Sequence, residues 1–162
     1  MNCSYCYEYN MGDDSWKSMP KIMSIDVLTK VVDRIVEHSN KHDFSNISIS
    51  LHGGEPLLVG IDKFEEYINV EKSNLQSHNY TIGIQTNATL INQNFINLFE
   101  DNDIFVGMSY DGPPEINDIN RFYHNGKGTG KDVEQGLKLL TNSKIFSGIL
   151  TVIDVNADPI NT

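Results

Sequence analysis

The chain has 162 residues, 39% of them hydrophobic and 21% charged, which is enough for one domain with a continuous core. Its 22 acidic residues outnumber 12 Lys and Arg, so the net charge is -10 at pH 7. Such a surface repels polyanions, so we expect neither nucleic acid nor a membrane surface as a partner. No secretory signal and no bilayer-spanning apolar run is visible, so we expect a cytoplasmic location.

The first periodic segment, residues 24–40, predicts an amphipathic helix with Ser24 as its N-cap. The apolar residues that share one face at helical spacing are Val27, Leu28, Val31, Val32, Ile35 and Val36. Residues 46–51 (NISISL) alternate with period two and predict a strand. Residues 52–56 (HGGEP) then end regular structure, because they contain two glycines and a proline.

The same order of helix and strand continues to the end of the chain. The further predicted elements are a helix over 61–75 with Phe64, Tyr67, Ile68 and Leu75 inward, a strand over 80–85, a helix over 93–100, a strand over 104–109, a polar loop over 111–130, a helix over 131–141 and a strand over 146–153. Four strands that alternate with four helices indicate βαβ units and a parallel sheet in a single domain, with no strand before the first helix.

Polar segments follow three of the predicted strands. They are residues 52–56 (HGGEP), residues 86–89 (TNAT) and residues 109–112 (SYDG). Ligands of α/β proteins bind beyond the carboxyl ends of the strands, so we expect these turns to lie along one rim of the sheet. The pair Cys3 and Cys6, the only cysteines of the chain, precedes the first helix and is expected at the same rim.

Each of these segments also has an ordinary explanation when taken alone. A double glycine commonly forms a tight turn, Thr86 and Asn87 could cap a helix, and the Asp-Gly pair at 111–112 is typical of a turn. Two cysteines could form a thiol redox pair, whereas a zinc site would need two further ligands. Residues 126–131 (GKGTGK) lack the spacing of a phosphate-binding loop.

In combination, the segments resemble the radical S-adenosylmethionine (SAM) superfamily. Residues 2–7 (NCSYCY) are similar to the end of its C-x-x-x-C-x-aromatic-C motif, and residues 53–56 (GGEP) are similar to its glycine-glycine-glutamate motif. The order of residues 86–90 (TNATL), 109–112 (SYDG) and 118–121 (DINR) resembles the branch that contains the anaerobic sulfatase-maturating enzymes and SPASM-type peptide maturases. The resemblance extends from residue 1 to about residue 158.

The resemblance implies an α/β fold, a parallel-sheet partial (β/α) barrel of the radical SAM type with about four βα units. Residues 1–162 are then one radical SAM core domain, truncated at both ends. The first cysteine of the family motif would fall two positions before Met1. We therefore expect the chain to be part of a longer protein, or to start at an internal methionine, and to be inactive by itself.

The resemblance also assigns cofactor-binding residues. In the family, three thiolates hold a [4Fe-4S] cluster whose open iron binds SAM, and the implied metal ligands here are Cys3 and Cys6. The implied SAM-binding residues are Tyr5, Gly53, Gly54, Glu55, Asn87, Ser109 and Arg121. The glycines permit close backbone approach to the methionine amino end, and the planar guanidinium of an arginine suits a carboxylate.

The activity implied by the resemblance is reductive cleavage of SAM to a 5′-deoxyadenosyl radical that abstracts hydrogen from a peptide or protein side chain, for oxidation or crosslinking. The implied partners are this peptide or protein substrate and an electron donor such as flavodoxin or ferredoxin. Two alternatives stay open. One is a catalytically inactive α/β binding module that keeps the motifs as turns, and the other is a thiol redox protein that uses Cys3 and Cys6.

Overall fold

The computed structural model describes residues 1–155, so the end of the expected domain, residues 156–162, lies outside the described residues. The elements are β1 (Asn2–Cys3), α1 (Ile25–Lys41), β2 (Asn46–Leu51), α2 (Ile61–Leu75), β3 (Asn79–Thr86), α3 (Gln93–Asp101), β4 (Ile104–Ser109), α4 (Pro114–Asn120), β5 (Arg121–Phe122), α5 (Gly130–Thr141) and β6 (Phe146–Leu150). Short 3₁₀ helices occupy Ser15–Ser18 and Pro56–Val59.

Four strands form one parallel sheet in the order β2-β3-β4-β6. Parallel neighbours need a crossover connection, and α2, α3 and α5 lie in the three connections. The two-residue strands β1 and β5 pair with each other in antiparallel orientation, apart from the main sheet. The predicted α/β fold with a parallel sheet is therefore confirmed.

The core lies between the central strands and the helices that cover them. Ile104, Val106 and Met108 of β4 are all fully buried, as alternate residues on one face of a strand should be. Phe64 of α2 packs edge-on against Phe99 of α3 with ring centroids 5.1 Å apart. Burial of these side chains holds the helices on the sheet. The polar turns lie at the strand ends, outside this core.

Helix α1 buries less of its apolar face than its periodicity predicts. Ser24 does cap it, since its Oγ accepts a hydrogen bond from the Val27 amide at 3.3 Å. Leu28 and Val32 are buried, but Val27 and Val31 are 48% and 44% exposed. This exposure follows from the position of α1 at the edge of the sheet. The helix packs on α2 beside β2, and in residues 1–155 no strand pairs with the outer edge of β2.

The prediction of a polar loop over residues 111–130 is wrong, because this segment contains α4 and β5. Pro113 and Pro114 start α4, where the missing amide hydrogen of proline does no harm. Seven residues are too few to show a helical period, and the inward residue is a polar one, Asn117, which is fully buried. The pairing of β5 with β1 is non-local, so no local pattern reveals it.

Besides shifts of one residue at several element boundaries, the structure differs from the prediction at its first and last strands. The chain does have a strand before its first helix, because Asn2 and Cys3 pair with β5. The last strand ends at Leu150 instead of Ile153, since its partner β4 ends at Ser109, directly opposite Leu150. Among the helices of residues 1–155, none has the length and apolar character that crossing a membrane requires.

Candidate functional site

The two cysteines lie on a closed turn that the β1–β5 pairing holds in place. Cys3 stands opposite Arg121 in the register, and the Ser4 amide donates to the Asn120 carbonyl at 2.9 Å. The Cys6 amide donates to the Cys3 carbonyl at 3.1 Å, which closes the turn. Both thiols are free and partly exposed.

The Cys3 thiol is partly buried beside a positive charge. Burial raises the pKa of the Cys3 thiol above its usual value, while the nearby guanidinium of Arg121 acts in the opposite direction. Cys6 also contributes to this upward shift of the Cys3 pKa, so the two sulfur atoms are close enough to interact. The effect of burial exceeds that of the guanidinium, so Cys3 of the metal-free chain keeps its thiol proton, which metal binding would displace.

Tyr5, between the cysteines, connects the turn to two buried charges. Its hydroxyl donates to Oδ2 of Asp111 and accepts a hydrogen bond from Nη1 of Arg121 at 3.0 Å. Asp111 and Arg121 are only 5% and 6% exposed. Burial is the main cause that raises the pKa of Tyr5, and its hydrogen bond to Asp111 adds to the increase, so the hydroxyl keeps its proton.

The Gly53–Gly54 turn meets the segment that follows the cysteines. Gly53 has a φ of +144°, a conformation that favours glycine. A Cβ atom on Gly54 would lie 2.2 Å from the hydroxyl oxygen of Tyr9, so only glycine allows the tyrosine to approach this closely. The Tyr9 ring packs edge-on against Trp16 with centroids 4.9 Å apart. The sequence motifs did not single out Tyr9.

Glu55 holds the end of β2 to the end of β3. One carboxylate oxygen accepts from the Thr86 hydroxyl at 2.7 Å and from the Leu57 amide at 3.1 Å, and the other accepts from the Asn87 amide at 2.8 Å. Burial raises the pKa of Glu55, and these three hydrogen bonds oppose the increase. The positive charge of the Met1 amino group also opposes it, which places the start of the chain near this carboxylate.

The remaining predicted residues, Asn87 and Ser109, contact residues of their own turn or of the neighbouring strand. Oδ1 of Asn87 accepts from the Thr89 amide at 3.0 Å and from its hydroxyl at 2.7 Å. The explanation of residues 86–87 as a helix cap is wrong, because Asn92 caps α3 through the amides of its first turn. Ser109, at the end of β4, accepts from Nε2 of Gln85 at 3.0 Å. Gln85 was not predicted, although a polar residue next to the end of a buried strand is a usable signal.

The structure thus brings several predicted residues together, in two groups. Cys3 is paired with Arg121, and Tyr5 contacts Arg121 directly, so these residues form one group with Cys6. Glu55 and Asn87 form a second group with the neighbouring glycine turn, while Ser109 stands at the end of the next strand. All of these positions except Arg121, which begins β5, lie at or beyond the carboxyl ends of their strands. Direct contacts of these residues to SAM stay a prediction.

The donor set fits part of an iron–sulfur site. Two thiols share one turn, but residues 1–155 contain no third cysteine and no cluster of three or more metal-ligating side chains. The nitrogen Nε of Arg121 is buried and has no hydrogen-bond partner in this part of the chain. A buried guanidinium with a spare donor suits an anionic group such as a carboxylate.

Comparison with known proteins identifies relatives of the whole described chain. The profile of the radical SAM superfamily matches residues 1–161. The cysteine-type anaerobic sulfatase-maturating enzyme of Clostridium novyi is 34% identical over 157 residues, which are 96% of this chain and 41% of that enzyme. The serine-type enzyme of Bacteroides thetaiotaomicron is 31% identical over 158 residues, 96% of this chain and 37% of that enzyme. The chain therefore spans about two fifths of the length of these curated relatives.

Solved structures show the same relationship. Native anSMEcpe with bound AdoMet superposes with a TM-score of 0.77 at 31% identity, covering 94% of this chain and 41% of the solved one. Native anSMEcpe with bound AdoMet and Kp18Cys peptide gives 0.78 at 30% identity, with 94% and 40% covered. These matches confirm the partial radical SAM barrel, and the [4Fe-4S] cluster and SAM are the cofactors of this family. The chain belongs to the radical SAM superfamily.

Proposed function

We propose that this protein is a radical SAM enzyme that carries out oxidative or crosslinking modification of a peptide or protein side chain. The observation that carries the proposal is the pairing of β1 with β5, which places Cys3 opposite the buried Arg121 beside the polar turns of a parallel sheet. A buried guanidinium can pair with an anionic group of a cofactor, and a cysteine thiolate can bind the metal of a cluster.

The residues of this chain then have distinct roles. Cys3 and Cys6 supply two of the thiolates for a [4Fe-4S] cluster. Arg121 pairs with the carboxylate of SAM through its guanidinium, which stands in a buried position and keeps a spare Nε donor. When bound, these cofactors supply reductive cleavage of SAM and hydrogen abstraction from the substrate.

The turns at the strand ends support the same site. Gly53 and Gly54 expose backbone groups without a Cβ, and Glu55 fixes this turn against the end of β3 through both of its carboxylate oxygens. The hydroxyl of Ser109 and the Asn87 side chain complete the polar lining that we propose for the nucleoside part of SAM. A fixed lining of this kind orients a cofactor without reorganisation.

The comparison with relatives supports a peptide as the substrate class. Anaerobic sulfatase-maturating enzymes are among the relatives, and one solved neighbour holds AdoMet together with a peptide. We extend the proposal to an external electron donor such as flavodoxin or ferredoxin, because reductive cleavage of SAM consumes an electron that the cluster must receive from outside.

Anaerobic reconstitution with iron and sulfide tests the proposal. We would extend the chain by Cys-Ala before Met1, which restores the family spacing, and use a Ser-Ala extension as the matched control. The Cys-Ala form should take up iron and sulfide in equal amounts, show cluster absorption, and yield 5′-deoxyadenosine from SAM under a strong reductant. In this form Cys3→Ala or Cys6→Ala should each abolish iron uptake.

Arg121→Lys separates cofactor affinity from cluster assembly. Iron content should stay unchanged while SAM binding weakens about tenfold, because an ammonium group cannot replace the planar fork of the guanidinium. Arg34→Lys, at an exposed ion pair with Glu37, is the matched control and should change neither. Unchanged iron content after either cysteine substitution would contradict the ligand assignment, and a reversible disulfide without iron uptake would favour the thiol redox alternative.

A further inference from the structure

The Tyr5 hydroxyl stands between two buried groups of opposite charge. It donates to the carboxylate of Asp111 and accepts from the guanidinium of Arg121 at 3.0 Å, and both charged residues are more than nine-tenths buried. A buried charge without a polar partner is strongly unfavourable, so the hydroxyl satisfies one hydrogen-bonding site on each group. The family motif requires only an aromatic ring at this position, whereas these contacts require the hydroxyl of a tyrosine.

Asp111 also connects this hydroxyl to the residues that follow the edge strand β6. Its second oxygen, Oδ1, accepts from the Val152 amide at 3.0 Å, just beyond the end of β6. Asp111 itself follows the end of β4 by two positions. The Asp111 side chain therefore links three segments: the turn after β4, to which it belongs, the backbone after β6, and the aromatic residue between the cysteines.

Arg121 is held independently of Tyr5. Its backbone pairs with Cys3, and its carbonyl accepts from the Thr129 hydroxyl at 2.8 Å, at the start of α5. The start of the cysteine turn is therefore held by the pairing of Cys3 with Arg121, which does not involve the Tyr5 side chain. What the Asp111–Tyr5 contact adds is a side-chain attachment in the middle of the turn, between the two thiols.

We propose that Asp111 is a positioning residue for the cysteine turn: through the Tyr5 hydroxyl, its carboxylate keeps Cys3 and Cys6 at the end of the parallel sheet. The importance of this role for catalysis rests on the proposed function, because only then are the thiols metal ligands. The attachment itself is a property of the metal-free chain and can be measured there.

The experiment uses the reduced, metal-free chain with Tyr5→Phe, Asp111→Asn and the double variant. Alkylation of Cys3 by a neutral maleimide is compared as the rate constant of the thiolate, taken from a pH–rate profile, because the charge of Asp111 itself raises the pKa of Cys3. This rate constant should become about tenfold larger in each variant, because the hydrogen bond between the Tyr5 hydroxyl and the Asp111 carboxylate is lost. Amide hydrogen exchange should accelerate in the turn over residues 3–6. The double variant should react no faster than Tyr5→Phe alone, because both substitutions break one contact.

Tyr123→Phe is the matched control, since its hydroxyl donates to the Asp132 carboxylate at 2.6 Å on the surface. It removes the same kind of hydrogen bond and should leave Cys3 alkylation unchanged. The exchange of β3 and β4 amides should stay the same in all variants, which a general loss of stability would not allow.

Three results would overturn the proposal: unchanged Cys3 alkylation in Tyr5→Phe, additive effects in the double variant, or exchange that accelerates equally throughout the sheet. Asp111→Asn removes the charged acceptor of the Tyr5 hydroxyl but keeps one acceptor oxygen for the Val152 amide, and Tyr5→Phe keeps the ring, so failure to fold in one still leaves the other to decide. Because no metal is needed, failure of this test and failure of iron uptake in the reconstitution are separate outcomes.

Discussion

Two independent constraints favour glycine at position 54, one from the cofactor and one from within the chain. The resemblance to radical SAM enzymes requires glycine for close approach of the backbone to SAM. The structure provides a second reason within the chain, because the Tyr9 hydroxyl lies where a Cβ atom would be. Both explanations predict that a larger residue is harmful, but only the second predicts a compensating change at Tyr9.

Gly54→Ala should displace the Tyr9 ring from Trp16 and destabilise the chain by about 1 kcal/mol, the range of an aromatic pair. Trp16 is the only tryptophan of the chain, so its fluorescence reports this displacement. Adding Tyr9→Phe removes the clashing oxygen and leaves the nearest ring atom at 3.2 Å, so emission and stability should largely return.

The control is Gly83→Ala in β3, where a Cβ would have an ordinary 3.5 Å contact and no effect on Trp16 is expected. If Gly54 also serves the cofactor, SAM affinity in the reconstituted double variant stays low although stability returns. A double variant as unstable as Gly54→Ala would show that Tyr9 is not the cause.

Among the elements, α2 illustrates both the success and the failure of periodicity. The four residues predicted to face inward are indeed buried: Phe64, Tyr67, Ile68 and Leu75. The same face also carries Glu71, which is 0% exposed and has no hydrogen-bond partner for either carboxylate oxygen in residues 1–155. Burial raises the pKa of Glu71 to about 7 from an ordinary value of 4.5.

This carboxyl should make the stability of the chain fall as the pH rises. The folded state binds the proton more strongly than the unfolded state does, so the stabilisation is complete below about pH 4.5 and is lost as the pH rises through about 7. The shift corresponds to about 3 kcal/mol between these limits. Urea unfolding at about pH 5 and about pH 8 measures it.

Glu71→Gln removes the ionisable group and should abolish most of this pH dependence, with a higher unfolding midpoint than the parent at the alkaline end. Glu65→Gln, at an exposed position of the same helix, is the matched control and should leave the slope unchanged. An identical slope in Glu71→Gln and the parent would rule out Glu71 as the group responsible.

For the molecule as a whole, the unpaired edges of the sheet are the feature that most favours self-association. Within residues 1–155, β2 and β6 each pair with one neighbour only. Ile149 and Leu150 of β6 are 47% and 61% exposed, and Phe44 beside β2 is 54% exposed. Unpaired strand edges flanked by apolar side chains tend to pair with other chains.

We therefore expect the 162-residue chain to self-associate as its concentration rises, which sedimentation velocity can follow. Leu150→Lys places a charge on the β6 edge and should reduce the association, whereas Leu58→Lys, at a 69% exposed leucine outside the strands, should not. A monodisperse and heat-stable monomer at high concentration would contradict the expectation.

Local sequence patterns were sufficient for the order of the main helices and strands and for the family. A period of two or 3.6 residues and a glycine or proline turn are properties of neighbouring residues, so they can be recognised without knowing the fold. The segments 2–7, 53–56 and 109–112 also identified the superfamily correctly, because they are short and contain unusual residue combinations.

The tertiary structure alone decided the contacts between distant segments. The β1–β5 pairing, the Tyr9 contact with Gly54, and the attachment of Tyr5 to Asp111 join residues far apart in the chain, and no local period encodes them. Asp111 looked like an ordinary Asp-Gly turn residue until the fold buried it beside Tyr5. Which polar side chains become partners depends on which strand ends meet, and that is settled only when the whole sheet has formed.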